Sequence, residues 1–379
     1  MLRQFTFLVL TWLAVTSHAQ QSPQPGTLVR SITPITDSLY RYQYNMHVSV
    51  FLVRPEGILI TDPTTVDSAE WLRDELKRRF NKPVRYMIYS HEHSDHIGGA
   101  SVFDVPGVTI VAHELTKRAL ADHPLPGARI PMPTVTFSEP LTLHFGGRTI
   151  RLFRVEPWTH AQDLIAMQFV EDRTLFAVDL LTVKGVGFFD FSNERFPQMI
   201  EAIRRMQQLD YDHLVDSHGP LGTKADGDFY LAYLEALQSG VRAALNRGAS
   251  LEETQRTVSL NQYSGLELFG PWKDMNIQGA YIALKGPAAA AAAMSDTPKE
   301  TARIQALAVF CSACHGPQGV STDAHFPNLA GQKYDYLLKA LRAYQKQERY
   351  DPYMSQLEFL SDAELEGIAH YYSSLPAAP

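Results

Sequence analysis

Six consecutive residues, His91-Glu92-His93-Ser94-Asp95-His96, put three imidazoles and a ligand-type carboxylate into one short stretch. Histidine is seldom fully buried, and polar side chains crowded this closely need a common partner. A divalent cation supplies one, because imidazole nitrogen and carboxylate oxygen suit zinc and its first-row neighbours. A second chemical signature uses both cysteines of the chain, Cys311-Ser312-Ala313-Cys314-His315. Cys-x-x-Cys-His is the attachment pattern of a c-type haem. Two thiols at that spacing form thioethers to one porphyrin, and the next histidine ligates its iron. A redox disulfide or half of a zinc site competes with this reading. A zinc site would need further ligands nearby, and no third cysteine exists, so the context favours haem.

Elements must carry these groups. Val84–Tyr89 is β-branched and aromatic and reads as a strand that delivers the His cluster to a loop. Gly98 and Gly99 then permit a tight path into a helix. Val48–Val53 and Gly57–Ile60 flank a turn at Pro55-Glu56, and Asp62 follows. Near the haem motif, Thr297 as cap, Pro298 and Glu300 make a helix start. Ile304, Leu307, Ala308 and Cys311 then share one apolar face. A further helix is expected from about Tyr334 to Gln345. A last one opens on a capping box from Ser361 to Glu364 and carries Leu365, Ile368, Tyr372 and Leu375.

His-x-His-x-Asp-His after an apolar strand resembles the metallo-β-lactamase superfamily of hydrolases. The resemblance spans roughly residues 27–286 and implies a four-layer αβ/βα sandwich with one or two metals between its sheets. Residue by residue, it implies His91, His93 and His160 on a first cation and Asp95, His96 and His218 on a second. Asp179 would join the two. Asp62 resembles the family residue that holds the His loop in place. Cations about 4 Å apart can share one water and lower its pKa from about 16 toward 7, giving a nucleophile at neutral pH. Asp95 could also relay a proton. Zinc comes first as the metal, with iron as the alternative, since both accept these donors.

Residues 300–379 resemble small bacterial class I cytochromes c. Beyond Cys311, Cys314 and His315, the stretch Pro327-Asn328-Leu329-Ala330-Gly331-Gln332 matches that family's loop. The resemblance implies a bond from His315 to the Pro327 carbonyl and Met354 as sixth haem ligand. The expected fold class is therefore α/β: a metallo-β-lactamase sandwich followed by a small all-α cytochrome c domain.

Residues 1–19 read as a secretory signal peptide, with Arg3, an apolar run from Phe5 to Val15, and Ser17-His18-Ala19. The expected parts are then a 20–286 metallohydrolase domain, a 287–299 linker rich in alanine, and a 300–379 cytochrome domain. Haem attachment outside the cytoplasm agrees with a periplasmic location. No later run reaches the roughly 18 apolar residues of a transmembrane anchor. A formal net charge of −7 and no basic stripe argue against nucleic acid as a partner. His47, His113, His213 and His325 lack ligand context and read as surface or structural.

Three functions remain open. The first is a periplasmic dinuclear-metal hydrolase of an ester, thioester or lactone, with a haem domain serving a periplasmic redox partner. The second is an oxidoreductase with iron at the same site. The third is an electron-transfer protein whose larger domain only binds a partner. Asp179 resembles the thioester and lactone hydrolase side of the superfamily more than the β-lactamases, and substrate identity lies in loops such as 121–135 and 183–196.

Overall fold

A computed structural model describes residues 28–123, 129–187, 191, 195–285, 297–321, 326–346, 348–349, 351, 354, 357 and 360–377. The signal peptide and most of the linker expected from the sequence lie outside these residues. The first strands are β1 (Arg30–Pro34), β2 (Leu39–Tyr44), β3 (His47–Arg54), β4 (Gly57–Thr61), β5 (Val84–Ile88), β6 (Thr109–His113) and β7 (Val135–Phe137). They form one sheet in sequence order. A second sheet runs β13-β12-β11-β10-β9-β8, built from β8 (Leu141–Phe145), β9 (Arg148–Arg154), β10 (Ile165–Phe169), β11 (Thr174–Phe176), β12 (His213–Val215) and β13 (Leu221–Thr223). Helices α1 (Val66–Phe80), α2 (Ser94–Ile97), α3 (Glu114–Asp122), α4 (Phe196–Met206), α5 (Lys224–Asn246), α6 (Leu251–Thr257) and α7 (Phe269–Lys285) connect and flank the sheets.

Alternation along the strands creates the layers. In β4, Leu59 packs between the sheets with Ile150, Leu152 and Ile165. Ile58 and Ile60, one residue either side, pack outward with Leu72 and Leu76 of α1. A period of two along the strand thus buries both faces of the sheet. Each such aliphatic side chain contributes roughly 1.5–3 kcal/mol when fully buried. α1 is fixed at both ends: Thr65 Oγ1 accepts from Ser68 N, and Asn81 closes the helix in the left-handed region at φ 49°.

The haem-motif segment is helical, with α8 (Thr297–His315), α9 (Tyr334–Gln345) and α10 (Asp362–Ser374). α8 starts on Thr297 itself, so that residue is inside the helix and not its cap. α10 carries the expected capping box between Ser361 and Glu364. Where α8 crosses α10, Gly367 lets the helices close: a Cβ there would stand 2.4 Å from Ile304 Cδ1. Tyr372 Oη donates to the Ala308 carbonyl at 3.0 Å across the same crossing.

Candidate metal centre and haem site

Four loops at the ends of strands bring the candidate ligands together. β5 delivers Ser90 to His96, and the segment after β10's partner β9 delivers His160. Asp179 follows β11 by three residues. His218 lies between β12 and β13. His160 and Asp179 take left-handed backbones at φ 51° and 49°, conformations that L-residues adopt at a cost of order 1–3 kcal/mol. The surrounding packing enforces them.

The inward nitrogens are spaced for cations. Two donors on one tetrahedral zinc, with bonds of about 2.0–2.1 Å, stand about 3.3–3.4 Å apart. His160 Nε2 lies 3.1 Å from His93 Nδ1 and 3.3 Å from Asp179 Oδ2, and His91 Nε2 lies 3.4 Å from the same oxygen. On the other side, His96 Nε2 is 2.9 Å from Asp179 Oδ2 and 3.3 Å from Asp95 Oδ2. His218 Nε2 is 3.0 Å from Asp179 Oδ1 and 3.7 Å from Asp95 Oδ2. His91, His93, His160 and Asp179 form one group of converging donors, and His96, Asp179 and His218 a second, so Asp179 belongs to both.

Orientation tests whether these donors fit metal. His91 Nε2 and His96 Nε2 are buried and make no hydrogen bond, although each lies close to a carboxylate oxygen. A buried polar atom left this way is costly unless another partner satisfies it. The outer nitrogens are occupied, as ligand imidazoles require. His91 Nδ1 meets Ser90 Oγ at 2.9 Å, and His96 Nδ1 meets Asp62 Oδ2 at 3.2 Å. Asp62 Oδ1 also accepts from Ser90 N at 2.8 Å. Asp179 is held by Ser217, whose Oγ donates to Oδ1 at 2.5 Å and accepts from Asp179 N at 3.1 Å.

The protonation states divide the two groups: burial opposes a charge on His96 and His218, but the Asp179 carboxylate beside them outweighs it and raises both above the usual imidazole value, so a cation there would have to displace a proton. Burial and the neighbouring His160 push His93 down to about 4, and burial holds His91 well below the usual imidazole value, so both rings stay neutral. Burial opposes the charge on Asp95 and Asp179, but adjacent imidazoles hold both well below the usual carboxylate range. An Asp95 that stays ionised suits a metal ligand and is a poor proton carrier near neutral pH.

Sequence reasoning missed two residues. His47, read as surface or structural, is 2% exposed and sits 3.1 Å from Asp95 Oδ2 through its Nε2. It opens β3, far from the motif in sequence, and only the sheet brings it in. Asp163 is buried against Glu92, and burial with that acidic neighbour pushes its carboxyl up to about 9. His113 does prove structural: its Nδ1 caps α3 by accepting from Leu115 N at 3.2 Å. Gly98 and Gly99 take ordinary conformations at φ −57° and −85°, but Gly99 sits where the chain passes closely, since a Cβ there would stand 2.3 Å from the Thr65 carbonyl oxygen.

At the second site, Cys311 and Cys314 are free thiols one helical turn apart near the end of α8, and His315 closes the helix. Burial raises Cys311 to about 11 and Cys314 to about 12. His315 is 6% exposed, and its Nδ1 meets the Pro327 carbonyl at 2.8 Å, which fixes the tautomer and leaves Nε2 for an iron. Met354 is half-buried and packs against the apolar core. Unpaired thiols with an oriented imidazole fit a covalent haem.

The family model described as the metallo-β-lactamase superfamily matches residues 44–218, and that described as cytochrome c matches residues 301–376. Residues 44–218 therefore form a metallo-β-lactamase superfamily domain and residues 301–376 a cytochrome c domain. It is 28% identical over 186 residues to 2,4-dinitroanisole O-demethylase subunit alpha of Nocardioides sp. (strain JS1661), covering 48% of this chain and 54% of that one. Over 70 residues it is 41% identical to cytochrome c4 of Thiocapsa roseopersicina, covering 18% of this chain and 36% of the relative. The chain thus spans about half of the first relative and about a third of the second. A solved metallo-β-lactamase from Pontibacter korlensis superposes with a TM-score of 0.49 at 22% identity, covering 55% of this chain and 99% of that one.

Proposed function

We propose that residues 20–286 form a periplasmic hydrolase holding two divalent cations, exported by the signal peptide at 1–19. Residues 300–379, beyond a 287–299 linker, carry one covalent haem c for electron transfer to a periplasmic redox protein. The reading rests on one observation above all: two groups of donors share Asp179, while His91 Nε2 and His96 Nε2 make no hydrogen bond of their own. His91, His93 and His160 would hold the first cation, and Asp95, His96 and His218 the second. When bound, such a pair supplies Lewis acidity toward a substrate oxygen and a water acidified toward neutral pH. The chain's own residues keep the donors in place. Ser217 fixes the Asp179 carboxylate, and Asp62 and Ser90 fix the outer nitrogens of His96 and His91. Zinc leads as the metal, and iron suits the same donors. The substrate class is an ester, thioester or lactone. Cys311, Cys314, His315 and Met354 would hold the haem, with Pro327 orienting His315.

A second reading follows from the haem domain, because hydrolysis consumes no electrons. With iron at the same donors, the larger domain would be an oxidoreductase exchanging electrons with the haem. The similarity to a protein named as an O-demethylase subunit supports testing an aryl methyl ether under both readings. The full-length, haem-bearing protein, loaded with zinc or with ferrous iron, should be assayed on chromogenic ester, thioester, lactone and aryl methyl ether substrates. Zinc-dependent turnover at equal rates with oxidised and reduced haem is the expected result. Turnover that requires iron and tracks the haem redox state would replace the hydrolase reading with the oxidoreductase one.

A further inference from the structure

His47 opens β3, where it pairs with Tyr44 across the ladder. The next residue ties the strand to the opposite sheet's loop: Val48 N donates to the Ser217 carbonyl at 2.7 Å, beside His218. His47 is thereby held facing the second group of donors. Its Nε2 lies 3.1 Å from Asp95 Oδ2, an oxygen that is also 3.3 Å from His96 Nε2 and 3.7 Å from His218 Nε2. Imidazole nitrogens from three chain segments therefore surround one carboxylate oxygen. His47, Asp95 and His218 offer ligand atoms that all lie within 4.8 Å of one another. The His47 and His218 rings stand 5.0 Å apart, within the spread set by His91–His93 at 4.3 Å and His96–His218 at 5.6 Å.

We propose that His47 Nε2 is a further ligand of the second cation, alongside the Asp95 and His218 that group with it. The proposal rests on the two-cation reading above. The competing arrangement is a hydrogen bond from His47 to Asp95, which would make His47 a positioning residue only.

The test uses full-length protein with its haem attached, stripped of exchangeable cations and titrated with zinc against a competing chelator. His47→Gln keeps an amide donor for Asp95 but is a poor ligand, and His47→Ala keeps neither. Wild type is expected to take two zinc ions. Both variants should keep the first at wild-type affinity and bind the second about 100-fold or more weakly, beyond the 10–100-fold typical of residues that only support a ligand. Far-UV circular dichroism checks that they fold. A His47→Gln protein that binds both ions like wild type overturns the proposal, as does equal loss of both ions in a folded variant. A wild type that takes one ion overturns the two-cation reading instead. Should neither variant fold, a crystal of the zinc-loaded wild type decides. Nε2 within about 2.1 Å of the second zinc supports the ligand, and a separation beyond about 3 Å removes it.

Discussion

Asp62 meets His96 through a contact of 3.2 Å between Oδ2 and Nδ1, and both residues are buried. The contact spans the gap between β4's end and the His loop. Asp62 reaches it from a left-handed backbone at φ 26°, with its own carbonyl accepting from Tyr42 Oη at 2.8 Å. Neighbouring backbone bonds clamp the same segments: Thr64 N donates to the His96 carbonyl at 2.7 Å, and Gly99 N to the Thr64 carbonyl at 2.6 Å.

Asp62→Asn tests what this contact does for binding. Asparagine keeps an acceptor for Ser90 N but loses the negative charge that makes His96 a better donor. The second zinc should bind about 10–100-fold more weakly while the haem spectrum stays unchanged. Chelator competition with zinc measures the affinity. An unchanged affinity would confine Asp62 to holding the backbone.

Asp179→Ala should act more broadly. Asp179 Oδ2 lies within 3.4 Å of His91, His160 and His96, and Oδ1 within 3.0 Å of His218, so its removal strips both groups of a shared donor. Zinc content by elemental analysis should fall from two toward one or none, and hydrolysis by about 100-fold or more. The haem absorption should be unaltered, since Cys311, Cys314 and His315 make no use of Asp179.

Asp163 gives a pH dependence. Burial and the adjacent Glu92 push its carboxyl up to about 9 in the folded protein, against about 3.9 in an unfolded chain. The folded state therefore holds a proton that the unfolded state lacks across that interval. Stability from this group is full below about 4 and is lost as pH rises toward 9. Asp163→Asn should remove that loss, raising the denaturant midpoint more at pH 8.5 than at pH 5.5. Tryptophan fluorescence suits the measurement, because the four tryptophans, Trp12, Trp71, Trp158 and Trp272, all precede the haem domain. Equal shifts at both pH values would mean that the carboxyl is ionised in the folded state.

Local patterns made much of this molecule legible. Strand β5, the hairpin of β3 and β4, helix α9 from Tyr334 to Gln345 and the Ser361 capping box follow from side-chain alternation, turn residues and caps, which act within a few residues. The His loop was legible because its ligands are adjacent in sequence. His47 was not, because strand pairing and the Val48–Ser217 bond place it, and neither leaves a mark beside His47. Asp163 was hidden for a similar reason: burial against Glu92 arises from packing, and a single acidic residue after Gln162 carries no sign of it. Likewise the left-handed turns at His160 and Asp179 are imposed by tertiary contacts on residues that do not favour them.

Met354 yields the last prediction. It stands in the stretch between α9 and α10, half-buried, with its backbone N donating to Asp351 Oδ1 at 3.0 Å. An Asp that pins the backbone there limits where the side chain can go. His315 is oriented by Pro327, so one axial position is defined and a thioether would complete the other. Methionine in that place raises the haem potential relative to histidine. Ferric wild-type protein should therefore show the weak near-infrared charge-transfer band of His/Met ligation. Met354→Ala should abolish the band, lower the reduction potential and let the iron bind cyanide or carbon monoxide readily. Met354→His should keep a six-coordinate low-spin haem but at a lower potential. A band that survives Met354→Ala would show that another residue supplies the sixth ligand.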